Sequence, residues 1–129
     1  MLNIVIRTIN HEEQRYETVG DYFEGPSGTK NIRVSNMANE DYEFLVAIHE
    51  AIEQHLCNKR GISEQDITAF DEKFEEERKE GKHSDDEEPG FDPKAPYVKE
   101  HTFATKIEKL LAKELCISWD LYDKTVMGL

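Results

Sequence analysis

The sequence predicts an α+β fold in which a small antiparallel sheet at the N-terminus is followed by three main helices. Two observations support this prediction: β-branched runs are found in residues 2–9 and 31–35, and apolar residues at helical spacing begin after residue 40. A chain of 129 residues also fits one domain and can bury a core without disulfide or metal cross-links. We therefore expect residues 1–129 to form a single domain.

The predicted strands lie in the N-terminal third. Residues 2–9 are rich in Ile, Val and Thr, and residues 31–35 alternate with the period of two that a half-buried strand requires. Between them, Tyr22-Phe23-Glu24 runs into Gly25-Pro26-Ser27-Gly28, a combination typical of a hairpin turn. These segments predict the antiparallel sheet.

The first predicted helix covers residues 40–60, because Asn39 is a suitable N-cap and Gly61 a suitable stop. On a helical wheel its main apolar stripe faces the core, and a second stripe lies along the rim of that core. The main stripe consists of Leu45, Ile48, Ile52 and Leu56, and the rim stripe of Val46, His49, Glu53 and Cys57.

Two further main helices are predicted. Ser63 and Asp66 resemble a capping box that opens the second helix, and Pro96 suits the first turn of a third helix over residues 97–115. Between them, residues from about 78 to 93 are too polar and acidic to order themselves, which predicts a mobile loop. The core stripe expected for the third helix is Phe103, Ile107, Leu110 and Leu111.

Composition excludes several function classes. A net charge of −12 argues against direct binding to a nucleic-acid backbone, which requires clustered Lys and Arg. No stretch approaches the roughly 18 apolar residues of a membrane span, and the N-terminus lacks the pattern of a signal peptide. We therefore expect a cytoplasmic protein that does not bind membranes.

The candidate chemical site is the segment Ile48-His49-Glu50-Ala51-Ile52-Glu53, which places three polar groups in an apolar helical run. His49 and Glu53 are four residues apart, so their side chains emerge on one face of the helix and can converge on one cation. The spacing is that of the His-Glu-x-x-His zinc motif, with glutamate in place of the second histidine. Carboxylate oxygen is an acceptable zinc ligand, so the sequence predicts a zinc site.

The third helix supplies the candidates for a third ligand. We favour His101, because imidazole is the commoner zinc donor and Glu108 lies beside it as a possible hydrogen-bond acceptor. Glu100 is the alternative, since it projects onto the predicted apolar stripe. In this hypothesis a water molecule occupies the fourth position, and Glu50 is the general base that accepts its proton.

These residues carry a resemblance to a known family. The strand at 31–35, followed by a helix with Ile-His-Glu-Ala-Ile-Glu, resembles the core of the minimal zincins, small zinc metallopeptidases. The third helix is similar to the ligand-bearing helix of the ImmA/IrrE-like branch. The resemblance implies a zincin-like fold, a peptide or protein substrate, His49 and Glu53 as ligands, Glu50 as base, and His101 or Glu100 as third ligand. The whole chain also resembles small proteins encoded by tailed bacteriophages and prophages, which implies the cytoplasm of a bacterial host.

Two other functions remain open at this point. Glu50 and Glu53 have the Glu-x-x-Glu spacing with which a nucleotide pyrophosphohydrolase holds magnesium against a triphosphate. Alternatively, the protein is not an enzyme, and its acidic segment from Asp71 to Asp92 inhibits a basic host factor by electrostatic mimicry.

Overall fold

A three-stranded sheet occupies the N-terminal third of the computed structural model, which describes all residues from 1 to 129. Strand β1 spans Ile4–Ile9, β2 spans Gly20–Glu24 and β3 spans Lys30–Ser35. Four helices follow: α1 (Glu40–Lys59), α2 (Glu64–Lys79), α3 (Val98–Glu114) and the short α4 (Trp119–Met127). The predicted α+β class, with the sheet preceding the helices, is confirmed.

The sheet is mixed, which differs from the antiparallel arrangement expected. Strand β3 is central: β2 pairs with it antiparallel, with Tyr22 opposite Ile32, whereas β1 pairs with it parallel, with Ile6 opposite Ile32. The hairpin turn at residues 25–29 makes β2 and β3 antiparallel. Residues 10–29 carry the chain back to its starting end before β3, so β1 and β3 run the same way.

Helix ends follow the local signals. The Asn39 side chain accepts a hydrogen bond from the backbone N–H of Tyr42, and the Ser63 side chain accepts one from Asp66. Gly61, just after α1, has a positive φ of 72°, the backbone conformation that glycine adopts without strain. None of the helices combines the length and the apolar character that crossing a bilayer demands.

The segment between α2 and α3 contacts the helices on either side. The rings of His83 and Phe74 stack with centroids 3.8 Å apart, and Gly90 is buried. Arg78 of α2 donates to the carbonyl oxygens of Ser84 and Glu87. These contacts hold the segment beside α2 and α3, and its mobility stays a prediction.

Helix α1 buries a different face from the one predicted. Val46, His49, Glu53 and Cys57, expected along the rim, are all buried at 6% exposure or less. Of the predicted core stripe, only Leu45 is fully buried, and Ile48, Ile52 and Leu56 are half-buried. His49 and Glu53 thus lie inside the packed interior, because α3 covers this face.

The predicted core stripe of α3 is wrong for Phe103 and Leu110, which are 48% and 55% exposed, whereas Ile107 and Leu111 are half-buried. The fully buried face carries Glu100, Ala104, Glu108 and Ala112 at four-residue spacing. Ala104 and Ala112 have small side chains and are almost fully buried, which lets α3 approach α1 closely. Alanine in this position brings the backbone of α3 near the polar side chains of α1.

The close packing of α3 against α1 predicts how substitutions on the two faces of α3 affect stability. We expect Ala104→Leu to lower the free energy of unfolding by about 1–3 kcal/mol, because added methylene groups at a closely packed helix interface force the helices apart. Leu110→Ala, on the exposed face of the same helix, should change it by less than about 0.5 kcal/mol. Urea unfolding of both variants measures the difference, and the opposite ranking would show that the helix buries its larger apolar residues.

Candidate metal centre

Three side chains from α1 and α3 converge on one point. His49 Nε2 lies 3.0 Å from Glu53 Oε2 and 3.1 Å from His101 Nδ1, and His101 Nδ1 lies 2.9 Å from Glu53 Oε2. Each residue offers one donor atom to a group of the size that holds a metal ion. The structure therefore brings together the residues that the sequence favoured, His49, Glu53 and His101.

Backbone geometry explains this convergence. His49 and Glu53 are one helical turn apart on α1, so their side chains lie one above the other. His101 is in the first turn of α3, on the side of that helix that packs against α1. The aromatic ring of Phe91 packs with its edge against the imidazole of His101 at a centroid distance of 4.5 Å.

The donor set fits a metal ion. For zinc at about 2.0–2.1 Å from each donor in tetrahedral geometry, the donor atoms would stand about 3.3 Å apart. The observed separations of 2.9–3.1 Å lie a few tenths of an ångström below that value. Although burial disfavours a charged imidazole, interactions with carboxylates raise the pKa of His49 and His101, and with both imidazoles protonated two N–H groups would point at the single oxygen Glu53 Oε2. A cation bound to all three atoms would replace those protons.

Glu108 orients the imidazole of His49. Nδ1 of His49 lies 2.7 Å from Glu108 Oε1, and the hydroxyl of Tyr122 donates to the other carboxylate oxygen at 2.5 Å. Because a carboxylate only accepts, Nδ1 carries a proton, which leaves Nε2 facing Glu53 and His101. The expected pairing of Glu108 with His101 is wrong: Glu108 is the partner of His49.

Glu53 is held from both sides. Its Oε1 accepts a hydrogen bond of 3.0 Å from the hydroxyl of Tyr22, while Oε2 faces the two imidazoles. Burial alone would raise the pKa of this carboxyl, but the hydrogen bonds from His101 and His49 outweigh it and lower the pKa to about 2. Glu53 is therefore ionised at neutral pH and available as a ligand.

Glu50, the predicted general base, lies beside this group. It lines a small cavity of about 70 Å³ together with Glu53, His101 and Asp71, a volume sufficient for a few water molecules. Burial, followed by the nearby negative charge of Glu53, raises the pKa of Glu50 well above its usual value. Strand β2 passes directly over it, since a Cβ added at Gly20 would lie 2.8 Å from Glu50 Oε1.

Glu100, the alternative third ligand, is not part of the group. Its Oε2 accepts a hydrogen bond of 2.6 Å from Arg60 Nη1, at the C-terminal end of α1. Glu100 is 4% exposed, as its position on a buried stripe implied, and the arginine supplies the charge that compensates it. The ion pair accounts for this buried carboxylate without a metal.

Gly90 allows the acidic segment to cover His101. A Cβ added at this position would overlap the imidazole ring of His101, so the close approach requires glycine. Nε2 of His101 is buried and has no hydrogen-bond partner, and the nearest carboxylate oxygen, Oε2 of Glu88, lies 3.8 Å away. The end of the acidic segment is therefore part of the site's surroundings.

Sequence reasoning missed Asp71 and the tyrosines that surround the site. Asp71 accepts a hydrogen bond from the hydroxyl of Tyr97 and faces the same cavity as Glu50. Burial raises the pKa of its carboxyl to about 7. The sequence contains one signal that Asp71 is buried. It falls between Ile67 and Phe74 on the apolar stripe of α2, at the spacing that places it on the buried face.

Comparison of the chain with protein-family models, with curated proteins and with solved structures gave no match. The resemblances to minimal zincins and to phage-encoded proteins therefore stay predictions. What the structure adds is the side-chain geometry of the site itself.

The histidine–carboxylate contacts predict how the metal-free protein responds to pH. Burial lowers the pKa of His101, but the carboxylates of Glu53 and Glu88 outweigh it and raise the pKa to about 9 from an ordinary 6.5. The stabilisation from this imidazolium is complete below about pH 6.5 and is lost as the pH rises through about 9. We expect the melting temperature in a chelator to fall across this window.

The variant His101→Gln provides the control for this pH effect. It removes the titrating group, so its melting temperature should fall less steeply over the same pH range than that of the wild type. An equal slope in the two proteins would show that the imidazolium of His101 contributes no pH-dependent stability.

Proposed function

We propose that the protein is a zinc-dependent hydrolase of the peptidase type. The observation that carries this proposal is the convergence of His49 Nε2, Glu53 Oε2 and His101 Nδ1 within 3.1 Å of one another, beside a cavity lined by Glu50. Catalytic zinc sites in proteins use three such ligands and keep a fourth position for water. The remaining residues around the site are consistent with this arrangement.

The choice of zinc rests on the donor set. Two imidazole nitrogens and one carboxylate oxygen are a combination that suits zinc, whereas magnesium prefers oxygen ligands and retains several waters. Glu108 holds His49 through Nδ1, the carboxylate–histidine arrangement common around zinc ligands. The two histidine donors favour zinc over the magnesium that the pyrophosphohydrolase hypothesis requires. In that hypothesis Glu53 would bind magnesium and would not be in contact with two histidines.

Each protein residue has a defined part in the proposed reaction. When bound, zinc would lower the pKa of a water molecule toward neutrality and polarise the substrate carbonyl. Glu50, beside the three donor atoms, would accept the proton of that water and pass it to the leaving amine. Glu108 and Tyr122 keep Nε2 of His49 directed at the metal position, and Tyr22 orients Glu53.

The non-enzymatic hypothesis makes a different use of the acidic segment. An inhibitor acting by electrostatic mimicry would present residues 71–92 to a basic partner as an outer surface. In this structure several of those carboxylates face a cleft that also contains His49 and His101, so the acidic segment surrounds the proposed site. We therefore assign the segment to the site and not to a separate contact surface.

Metal content tests the proposal directly. We expect about one zinc ion per chain in elemental analysis of protein purified without chelators, and a rise in melting temperature on addition of zinc. His49→Ala, Glu53→Ala and His101→Ala should each lose the metal, because each removes one of three donors. His55→Ala is the matched control: His55 is exposed on the same helix and should leave the zinc content unchanged.

Two results together would refute the zinc proposal: elemental analysis finds no zinc in the purified protein, and added zinc leaves its melting temperature unchanged.

Glu50→Gln separates metal binding from catalysis. The variant should retain zinc but hydrolyse a peptide substrate about 10²–10⁴ times more slowly, since glutamine cannot accept the proton of the bound water. Glu72→Gln, an exposed substitution on α2, controls for the loss of one carboxylate. Undiminished hydrolysis by Glu50→Gln would remove Glu50 from the mechanism.

A further inference from the structure

A cleft of about 500 Å³ leads to the candidate metal centre from the surface. His49, Glu50 and His101 lie in its lining, and its walls come from the segment before β2, from α2, from the acidic segment and from the end of α4. Its size is within the range of pockets that hold small ligands or part of a peptide. The cleft therefore opens the candidate site to the surface on the side of His49 and His101.

The lining of the cleft is strongly negative. Eight carboxylate side chains face it, against Arg78 as the one lysine or arginine. Five of them lie within 3.8 Å of a basic side chain, namely Glu75 of Arg78, Glu108 of His49, Glu17 of His11, Glu87 of His83 and Glu88 of His101. The other three, Glu50, Asp71 and Asp85, form no ion pair, and burial raises the pKa of Glu50 and Asp71. Even with Glu50 and Asp71 protonated, the six remaining carboxylates outnumber Arg78 and the three imidazoles that line the cleft.

Arg78 does not balance these charges. Its Nε donates to Glu75 at 3.0 Å, Nη2 also contacts Glu75, and both Nη atoms donate to the carbonyl oxygens of Ser84 and Glu87. Its hydrogen-bonding capacity is therefore used within the protein. The walls of the cleft keep an excess of negative charge that is focused in a concave, partly enclosed space.

A second observation concerns Glu50, which makes no hydrogen bond or ion pair within the protein although it lies at the inner end of the cleft. Apolar side chains, among them Val19, Val46 and Val126, line the cleft between the carboxylates. Apolar surface beside an excess of carboxylates suits lysine and arginine, which have a long aliphatic stem and a charged end. A polyanion such as a nucleoside triphosphate would be repelled by the same walls.

We infer that the cleft selects basic peptides, with lysine or arginine side chains close to the amide bond that is cut. This inference rests on the proposed hydrolase function and specifies its substrate class. The carboxylates near the outer wall, Glu17 and Asp85, receive the basic side chains while the amide lies over His49 and His101. Complementary charge also accelerates encounter, and both effects weaken as salt is added.

Equilibrium binding of peptides tests the preference of the cleft for basic side chains without requiring catalytic turnover. The probes are three fluorescent octapeptides of identical Gly-Ala background that carry three lysines, three norleucines or three glutamates. We expect fluorescence anisotropy to show the lysine peptide binding at least about tenfold more tightly than the norleucine peptide at low salt, and no binding of the glutamate peptide. Equal affinity for the lysine and norleucine peptides would overturn the inference.

Charge-reversal variants distinguish the cleft from the acidity of the whole protein. Glu17→Lys combined with Asp85→Lys reverses two exposed carboxylates of the cleft, and should abolish the preference for lysine. Glu72→Lys combined with Glu114→Lys makes the same change in net charge at exposed positions outside the cleft, and should retain it. If both pairs reduce the preference equally, the attraction comes from net charge and the cleft is not selective.

Cleavage of the same peptides with zinc present, followed by mass spectrometry, separates the two proposals. Selective binding of the lysine peptide without any cleavage would refute the hydrolase and leave the selectivity of the cleft established. Cleavage of the lysine and norleucine peptides with the same kcat/KM would support the hydrolase and refute the basic substrate class. Faster cleavage of the lysine peptide supports both.

Discussion

The buried contact between His49 and the two carboxylates of Glu53 and Glu108 is the interaction on which the site depends. It joins α1 to α3 through Nδ1 at 2.7 Å and sets the direction of Nε2. Buried carboxylates are costly unless an opposite charge and hydrogen bonds compensate them, and here imidazoles and tyrosine hydroxyls do so. In the absence of metal, the positive charge is a proton, which is why the pKa of His49 is raised well above its ordinary value despite its burial.

Metal binding and protonation are therefore alternatives at the same position. Zinc requires neutral histidines, so its binding in the proposed site would release protons that otherwise balance Glu53 and Glu108. The close packing of α3 on α1 through Ala104 and Ala112 holds the three donor atoms together. The cleft above them has more carboxylates than basic side chains, so in the proposed function it would favour a positively charged ligand beside a site that could itself hold a cation.

Much of the secondary structure and part of the site could be predicted from the sequence. Asn39, Ser63 and Gly61 act through contacts a few residues away, so the helix boundaries were close to those observed. The pairing of His49 with Glu53 also follows from one turn of helix. The buried faces of α1 and α3 could not be read in the same way, because hydrophobic spacing favoured the large residues Phe103 and Leu110 whereas close helix packing selected Ala104 and Ala112.

By itself, the sequence determined the local elements and the two ligand candidates on α1, since caps, turns and four-residue spacing operate within a short stretch of chain. Only the tertiary structure decided between His101 and Glu100, assigned Glu108 to His49, and made the sheet mixed. These outcomes depend on contacts between residues tens of positions apart. Arg60 forms an ion pair with Glu100, forty residues away, and His101 is the side chain of α3 that faces Glu53.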